Sequence, residues 1–170
     1  MGCTPQVRVR RGDVPAWDHA PVDQARRQVA AAALVQLATS DDYRDRADAG
    51  RALANFAQDA EARTSLLRLL LDPDDTFVTF ETAEAVLRRQ DAVGFATIAE
   101  ALASADLQHS TYIHDAVRSV FVVFASERDR AMEACAVLSH HANAQVRQGA
   151  ADLREALAEI DPVLHPQEPA

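Results

Sequence analysis

The feature that most constrains this chain is a helical pattern that recurs about every 34 residues. Residues 41–71 are echoed by residues 74–105, and the outline returns at residues 110–139 and again from Asn143. The first two copies align at a constant offset in the pairs Asp41/Asp75, Tyr43/Phe77, Ala49/Ala83 and Leu53/Leu87. A fixed period of this length predicts stacked helical hairpins, each of which contacts mainly its neighbours.

The composition agrees with an all-α fold. At 170 residues the chain has the length of one domain with a substantial core. Ala is the commonest residue and only five glycines occur, which favours helices. Every basic residue is Arg, a pattern typical of a GC-rich bacterium, and we interpret it as genomic background.

The formal charge of −9 is spread unevenly along the chain. Residues 1–40 carry five Arg against three Asp, whereas residues 41–161 carry 12 Arg against 22 acidic residues. An acidic body repels phosphate, so the sequence argues against nucleic-acid binding and favours a solvated surface or a basic partner. Arg8, Arg10 and Arg11 are interpreted either as a contact for an acidic surface or as solubilising residues.

Cysteine usage and hydropathy predict a cytoplasmic protein. Cys135 lies in an apolar helical run and is predicted to be a core residue, while Cys3 stands apart, so no disulfide framework is expected. Residues 1–17 lack the apolar core of a signal peptide. The longest apolar run, residues 120–125, is too short to span a bilayer.

Composition shifts divide the chain into three parts. Residues 1–20 are predicted to form a flexible N-terminal arm whose Trp17 folds back onto the first helix. Residues 21–161 are predicted to form a single repeat domain, and residues 162–170 a Pro-rich frayed tail. The domain is expected to contain helices near residues 21–39, 43–58, 61–71, 76–88, 92–102, 112–124, 127–138 and 144–160.

Capping residues and apolar stripes refine these helices. The predicted caps are Ser40 with Asp41 and Asp42, Asp59, Asp74 or Asp75, Asp91, the pair Ser110 and Thr111, and Asn143. Of these, Asp59 is the predicted cap of the helix near residues 61–71. The inward stripe of the helix after Asp75 is predicted to contain Phe77, Phe80, Ala83, Val86 and Leu87. The helix that runs to Phe124 is very apolar, and we expect it to be a central helix, buried on most sides.

The segment from Asn143 to Leu153 resembles the first helix of a HEAT-like repeat, in which an Asp or Asn cap precedes Val-Arg, small residues and Leu. Residues 75–87 resemble it more loosely, with Phe77-Val78 at the Val-Arg positions, and Tyr43-Arg44 and Tyr112-Ile113 more loosely still. The resemblance implies a right-handed α-solenoid of about four HEAT-like hairpins. Short bacterial arrays of this family are mostly protein-binding scaffolds.

The common catalytic motifs are missing from the sequence. A P-loop needs a Lys, the glycines are scattered, and Gly-x-Ser-x-Gly, Cys-x-x-Cys, His-Glu-x-x-His and His-Glu are all absent. We therefore predict no catalytic residue, no cofactor and no metal site. One loose group leaves an alternative open, either a divalent-metal site or solvated turn residues: His109, His114, Asp115, His140 and His141.

These observations favour a non-enzymatic interaction scaffold, a monomer or weak homodimer, that binds another protein, best a basic one, on a curved acidic surface. The predicted partner-binding residues recur near helix starts: Asp41, Asp42, Asp74, Asp75 and Glu81. Helix capping is the alternative role for Asp41, Asp74 and Asp75. The rival functions are an immunity-like or antitoxin-like inhibitor of a basic nuclease and a HEAT-like lyase or metal-dependent enzyme subunit.

Overall fold

A computed structural model describes residues 22–165, and within this range the chain forms eight α-helices and no β-strand. The helices are α1 (Val22–Leu37), α2 (Tyr43–Leu53), α3 (Ala60–Leu70), α4 (Thr76–Leu87), α5 (Ala92–Leu102), α6 (Leu107–Phe121), α7 (Ala125–Leu138) and α8 (Ala144–Ala158). A 3-10 turn, Ala54–Phe56, follows α2. The all-α prediction is confirmed. The predicted arm with Trp17, and the last five residues of the predicted tail, lie outside the described residues.

Short polar side chains begin five of these helices. Asp42, Asp75, Asp91, Asp106 and Asn143 each hold an extended backbone conformation and accept a hydrogen bond from a backbone N–H in the first turn. Such a bond satisfies a donor that the helix itself leaves unpaired. The predicted caps Asp75, Asp91 and Asn143 are confirmed, and of the pair Asp41 and Asp42 it is Asp42 that caps α2. Asp59 holds the N-cap position of α3, but its side chain accepts no hydrogen bond from the first turn.

The prediction that Ser110 and Thr111 cap the sixth helix is wrong. Asp106 caps α6 by accepting hydrogen bonds from the backbone N–H and the ring of His109, so the helix begins at Leu107. Thr111 lies inside the helix, where its hydroxyl donates to the carbonyl of Leu107 at 2.7 Å. Leu107 is 85% exposed, so it is not part of the buried apolar stripe of α6. The spacing of apolar residues therefore did not indicate the first turn of this helix.

Consecutive helices contact one another, and the contact between α6 and α7 is the weakest of these. Helix α4 lies between α2 and α6, while α3 packs against α5. The last unit departs from this order because α8 packs chiefly against α5 and α7, and less against α6. Within residues 22–165 the fourth unit therefore contributes a single helix.

Helix α5 is the central helix among the described residues. All its residues from Gly94 to Leu102 are buried except the half-buried Glu100. The prediction that the helix ending near Phe124 is central is wrong, because α6 ends at Phe121 and exposes Asp115, Arg118 and Ser119. Small residues on α5 let neighbouring helices approach it closely. The spacing of large apolar residues in the sequence therefore did not indicate that α5 is central.

Two glycines mark the closest helix contacts. A Cβ at Gly149 of α8 would lie 1.7 Å from the backbone carbonyl oxygen of Ala99 in α5. A Cβ at Gly50 of α2 would lie 2.1 Å from the hydroxyl of Thr82 in α4. Both distances are far below any real carbon contact, so these crossings require glycine.

The apolar stripe of α4 differs from its prediction. Val78, Thr79, Thr82, Ala83, Val86 and Leu87 are its buried residues. Phe77, predicted to face inward, is 41% exposed and meets Tyr43 edge-on with 5.9 Å between ring centroids. Threonine has a polar hydroxyl, so Thr79 and Thr82 were not included in the predicted apolar stripe. Phe77 was placed in the stripe instead.

The start of the predicted frayed tail is hydrogen-bonded to the loop between α6 and α7. The N–H of Val163 donates to the carbonyl of Val122 at 2.9 Å, and that of Leu164 donates to Val123 at 2.8 Å. The N–H of Ala125 donates back to the carbonyl of Leu164 at 2.9 Å. Among the described helices, none combines the length and the apolar character that crossing a membrane requires.

Candidate partner-binding groove

The five predicted partner-binding acids have three different environments. Asp42 and Asp75 are the caps of α2 and α4, so one oxygen of each carboxylate accepts a backbone N–H. Glu81 accepts from Nε of Arg51 at 2.8 Å, and its side chain is only 19% exposed. Asp41 and Asp74 are exposed and cap no helix. The five acids therefore differ in how far their carboxylates are available to a partner.

Asp41 and Asp74 lie on two loops that a buried arginine holds together. Nε and Nη2 of Arg46 donate to the two carboxylate oxygens of Asp72 at 2.7 and 3.0 Å. Nη1 of Arg46 donates to the carbonyls of Ser40 and Asp41 at 3.0 and 3.1 Å. One guanidinium thus links the loop before α2 to the loop after α3.

Asp72 completes this link from the other side. One of its carboxylate oxygens also accepts the backbone N–H groups of Asp74 and Asp75, at 3.1 and 2.9 Å. Burial raises the pKa of Asp72, but the hydrogen bonds from Arg46 and from these two amides outweigh it, so the net pKa lies below its ordinary value. Asp72 therefore stays ionised and positions the backbone that carries Asp74.

Sequence reasoning missed Arg46 and Asp72, but a signal for Arg46 was present. Arg147 occupies the same place in α8 that Arg46 occupies in α2, and its Nη1 donates to the carbonyls of His141 and Ala142 at 2.7 and 2.9 Å. The Val-Arg pattern of the sequence aligned Arg147 with Arg44. Since Arg147 corresponds to Arg46 in the structure, that alignment is wrong by two residues.

A groove of about 750 Å³ lies between these two loops and the C-terminal half of α3. Its floor is apolar, since Leu67, Leu69 and Leu71 line it. Its rim carries Asp41 and Asp74, the latter with a side chain that is 77% exposed. The remaining lining residues are Ala38, Thr39, Ser40, Arg46, Thr64, Arg68, Asp72 and Pro73.

The electrostatics of the groove are set by which charges are already paired. The Arg46 guanidinium is neutralised by the buried Asp72 carboxylate, and Asp74 lies 3.8 Å from its Nη2 on the exposed side. Arg68 is an exposed cation at the α3 wall. The carboxylates of Asp41 and Asp74 therefore face solvent beside an apolar floor, an arrangement that suits a cationic and partly apolar ligand.

The predicted histidine group does not come together as one site. Among residues 22–165, no three His, Cys, Asp or Glu side chains meet in an arrangement that would hold a metal ion. His109 contacts Asp106 and the carbonyl of Asp72, while Nδ1 of His141 accepts the N–H of Asn143 at 3.1 Å. The metal interpretation of the histidine group thus finds no geometric support.

His109 and Asp106 form a carboxylate–imidazole pair with 2.7 Å between Oδ1 and Nδ1. In a hydrolytic triad, the other ring nitrogen faces a nucleophile. Here Nε2 of His109 lies 3.0 Å from the backbone carbonyl oxygen of Asp72, which occupies that nitrogen. The pair links the start of α6 to the Asp72 loop and is not arranged as a general base.

Cys135 is 1% exposed, which agrees with its prediction as a core residue. Burial raises the pKa of its thiol to about 11, with a small opposing effect from Arg154. A thiol of this pKa is almost entirely protonated at neutral pH and is a poor nucleophile.

Comparison with known proteins leaves the function open. No protein-family model matches the chain, and no curated protein matches it. A solved crystal structure, described as that of an engineered protein, aligns with 21% identity and a TM-score of 0.38. The alignment covers 81% of this chain and 66% of the engineered protein. A TM-score this low does not inform the fold or the function.

Proposed function

We propose that this chain is a non-enzymatic protein-binding module, built as a right-handed α-solenoid of HEAT-like hairpins, that holds a basic partner in the groove between α3 and the loops at residues 38–42 and 71–75. The successive packing of α2, α4 and α6 supports the solenoid. The groove itself carries the functional part of the proposal, because it joins an apolar floor to two exposed carboxylates.

The groove is preorganised for binding. Arg46 and Asp72 fix the loops that carry Asp41 and Asp74 through four hydrogen bonds of 2.7–3.1 Å. Walls that are already ordered cost a ligand less free energy to engage than mobile loops do. Such a surface favours a defined segment of a partner over general attraction to positive charge.

The chemistry of the groove defines the ligand class as a chain segment that alternates cationic and apolar side chains. Apolar groups would cover Leu67 and Leu71, and arginine or lysine would pair with Asp41 and Asp74 at the rim. Rim carboxylates contribute mainly to association rate and specificity, and their effect is screened by salt. Apolar contacts with the floor persist at high salt.

The test is affinity capture from the native host's lysate, read by mass spectrometry, with the wild-type chain and the double variant Asp41→Asn/Asp74→Asn as baits. Asn removes the two charges while preserving side-chain size. We expect a basic protein that is retained at low salt by the wild type and at least tenfold less by the variant.

The matched control is Glu155→Gln/Glu159→Gln, which removes the same charge from exposed positions on and just after α8. Capture by the control should equal that by the wild type. If the groove variant and the wild type retain the same basic protein equally, the groove is not the binding site. If no basic protein is captured, the proposed partner class is wrong.

A further inference from the structure

The segment that precedes α1 matches the chemistry of the groove. Residues 7–11 read Val-Arg-Val-Arg-Arg, and they lie outside the described residues. In an extended chain successive side chains point to opposite sides, so an extended segment of this sequence would place Val7 and Val9 on one face and Arg8 and Arg10 on the other. The groove offers the complementary pair of surfaces, an apolar floor and a carboxylate rim.

The length of the chain lets this segment reach the groove. The groove begins at Ala38, directly after the C-terminal end of α1, so a segment that precedes α1 can reach the groove only by spanning the length of that helix. A helix of 16 residues is about 24 Å long. The ten residues between Arg11 and Val22 span up to about 33 Å when extended. The connection is therefore long enough, with slack for one turn.

The charges around the groove also favour this occupant. Its two loops carry five aspartates: Asp41, Asp42, Asp72, Asp74 and Asp75. The charge of Arg46 is neutralised by its ion pair with Asp72, so the two loops remain net negative. Residues 1–20, in contrast, carry three arginines against two aspartates. Arg68 on the α3 wall would repel an arginine, so the arm's cations belong at the rim formed by Asp41 and Asp74.

We propose that residues 7–11 of the same chain occupy the groove in the absence of a partner and act as an autoinhibitory pseudo-ligand. This inference rests on the proposed function, since the arm and the partner then compete for one surface. Competition lowers the apparent affinity for the partner by the fraction of molecules whose groove is empty. Neutralising the arm is therefore expected to raise partner affinity several-fold.

The native cysteines permit a direct test on the full chain. Cys135 is buried with a raised pKa, so a thiol-reactive nitroxide at neutral pH is directed to Cys3, four residues before Val7. Paramagnetic broadening of backbone amide NMR signals then reports where the arm lies. We expect broadening at Ser40, Asp41 and Leu71 in the wild type at low salt.

Two variants and a mixing control complete the test. The triple variant Arg8→Gln/Arg10→Gln/Arg11→Gln is expected to lose this broadening, while Arg26→Gln/Arg27→Gln, which changes exposed arginines on α1, is expected to keep it. Absence of broadening at the groove in the wild type, or its persistence in the triple variant, would overturn the proposal. Broadening in a mixture of isotope-labelled protein and separate nitroxide-labelled protein would identify a second copy as the occupant and would also overturn it.

The outcome is separable from that of the proposed function. The broadening experiment contains no partner, and the capture experiment compares groove variants whatever the arm does. Arm docking with equal partner capture by the Asp41→Asn/Asp74→Asn variant would leave the groove as an intramolecular site alone. Partner capture that depends on the groove, without arm broadening, would retain the binding function and remove the autoinhibition.

Discussion

Among the single residues, His109 connects two units of the fold through both of its ring nitrogens. Nδ1 lies 2.7 Å from a carboxylate oxygen of Asp106, and Nε2 lies 3.0 Å from the carbonyl oxygen of Asp72. Both partners are acceptors, so both nitrogens carry a proton when both bonds are made, and the ring is then cationic. Burial lowers the pKa of His109, but the bonds to Asp72 and Asp106 raise it more, so the net pKa lies above 6.5.

This geometry makes part of the stability dependent on pH. Because the folded-state pKa of His109 lies above its unfolded value, its contribution is fully present below about pH 6.5 and is lost as the pH rises through the folded-state pKa. For His109→Gln we expect a free energy of unfolding below that of the wild type at pH 6, with the difference shrinking toward pH 8.5. Urea denaturation followed by circular dichroism at several pH values measures this difference.

The control for this prediction is His140→Gln, which changes an exposed histidine in the loop after α7. Its difference from the wild type should be small at every pH. A difference for His109→Gln that stays constant, or grows, between pH 6 and pH 8.5 would show that protonation of the ring adds no stability, and it would contradict this prediction.

How far single residues could be predicted depends on whether their partners are near in sequence. Asp75, Asp91 and Asn143 were predictable caps because each bonds a backbone amide two or three residues ahead. Arg46 and Asp72 were not, because 26 residues separate them and a buried ion pair has the same sequence appearance as two solvated charges. The geometry of the candidate groove depends on this pair. The sequence therefore predicted the rim residues Asp41 and Asp74, but it did not predict the groove beside them.

At the level of helices, the crossing of α8 over α5 depends on Gly149. Its Cα faces the backbone of Ala99 so closely that an added Cβ would sit 1.7 Å from a carbonyl oxygen. Ala at this position raises helix propensity by about 1 kcal/mol, yet the overlap forces the helices apart. We expect Gly149→Ala to lower the free energy of unfolding by about 2–3 kcal/mol, measured by urea denaturation.

Two further variants separate overlap from propensity. Gln148→Ala introduces Ala at an exposed neighbouring position of α8 and should leave stability unchanged or slightly raised. Gly50→Ala meets the Thr82 side chain instead of backbone, so Thr82→Ala in the same chain should recover part of its loss. A Gly149→Ala variant as stable as the wild type would mean that α5 and α8 separate at little cost.

The helices themselves were easier to predict than their contacts. Repeating caps and apolar spacing located most helices of residues 22–165 to within a few residues. The pairs Ala49/Ala83 and Leu53/Leu87 are all fully buried, as their constant offset suggested. The central position of α5 could not be predicted, because it follows from small residues that admit neighbours and from the placement of α8, neither of which leaves a periodic apolar signal.

Across the entire domain, the placement of α8 predicts how the protein unfolds. In a linear array of repeats each unit contacts only its neighbours, so damage to the last unit frays that end and spares the rest. Here α8 packs against the central helix α5, which also contacts α3, α4, α6 and α7. Loss of packing in α8 should therefore weaken every unit together.

Leu153→Ala tests this coupling, because Leu153 is a fully buried residue of α8. Removing a buried leucine side chain costs about 2–5 kcal/mol. In native-state hydrogen exchange we expect the most protected amides of α2, α4 and α5 to lose the same free energy of opening as those of α8. Leu107→Ala is the matched control, since Leu107 is 85% exposed and its loss should change protection by less than about 0.5 kcal/mol. Loss of protection confined to α7 and α8 would instead mean that the end of the domain opens alone, as in a linear array. The contact of α8 with α5 would then not couple α8 to the groove between α3 and the loops at residues 38–42 and 71–75.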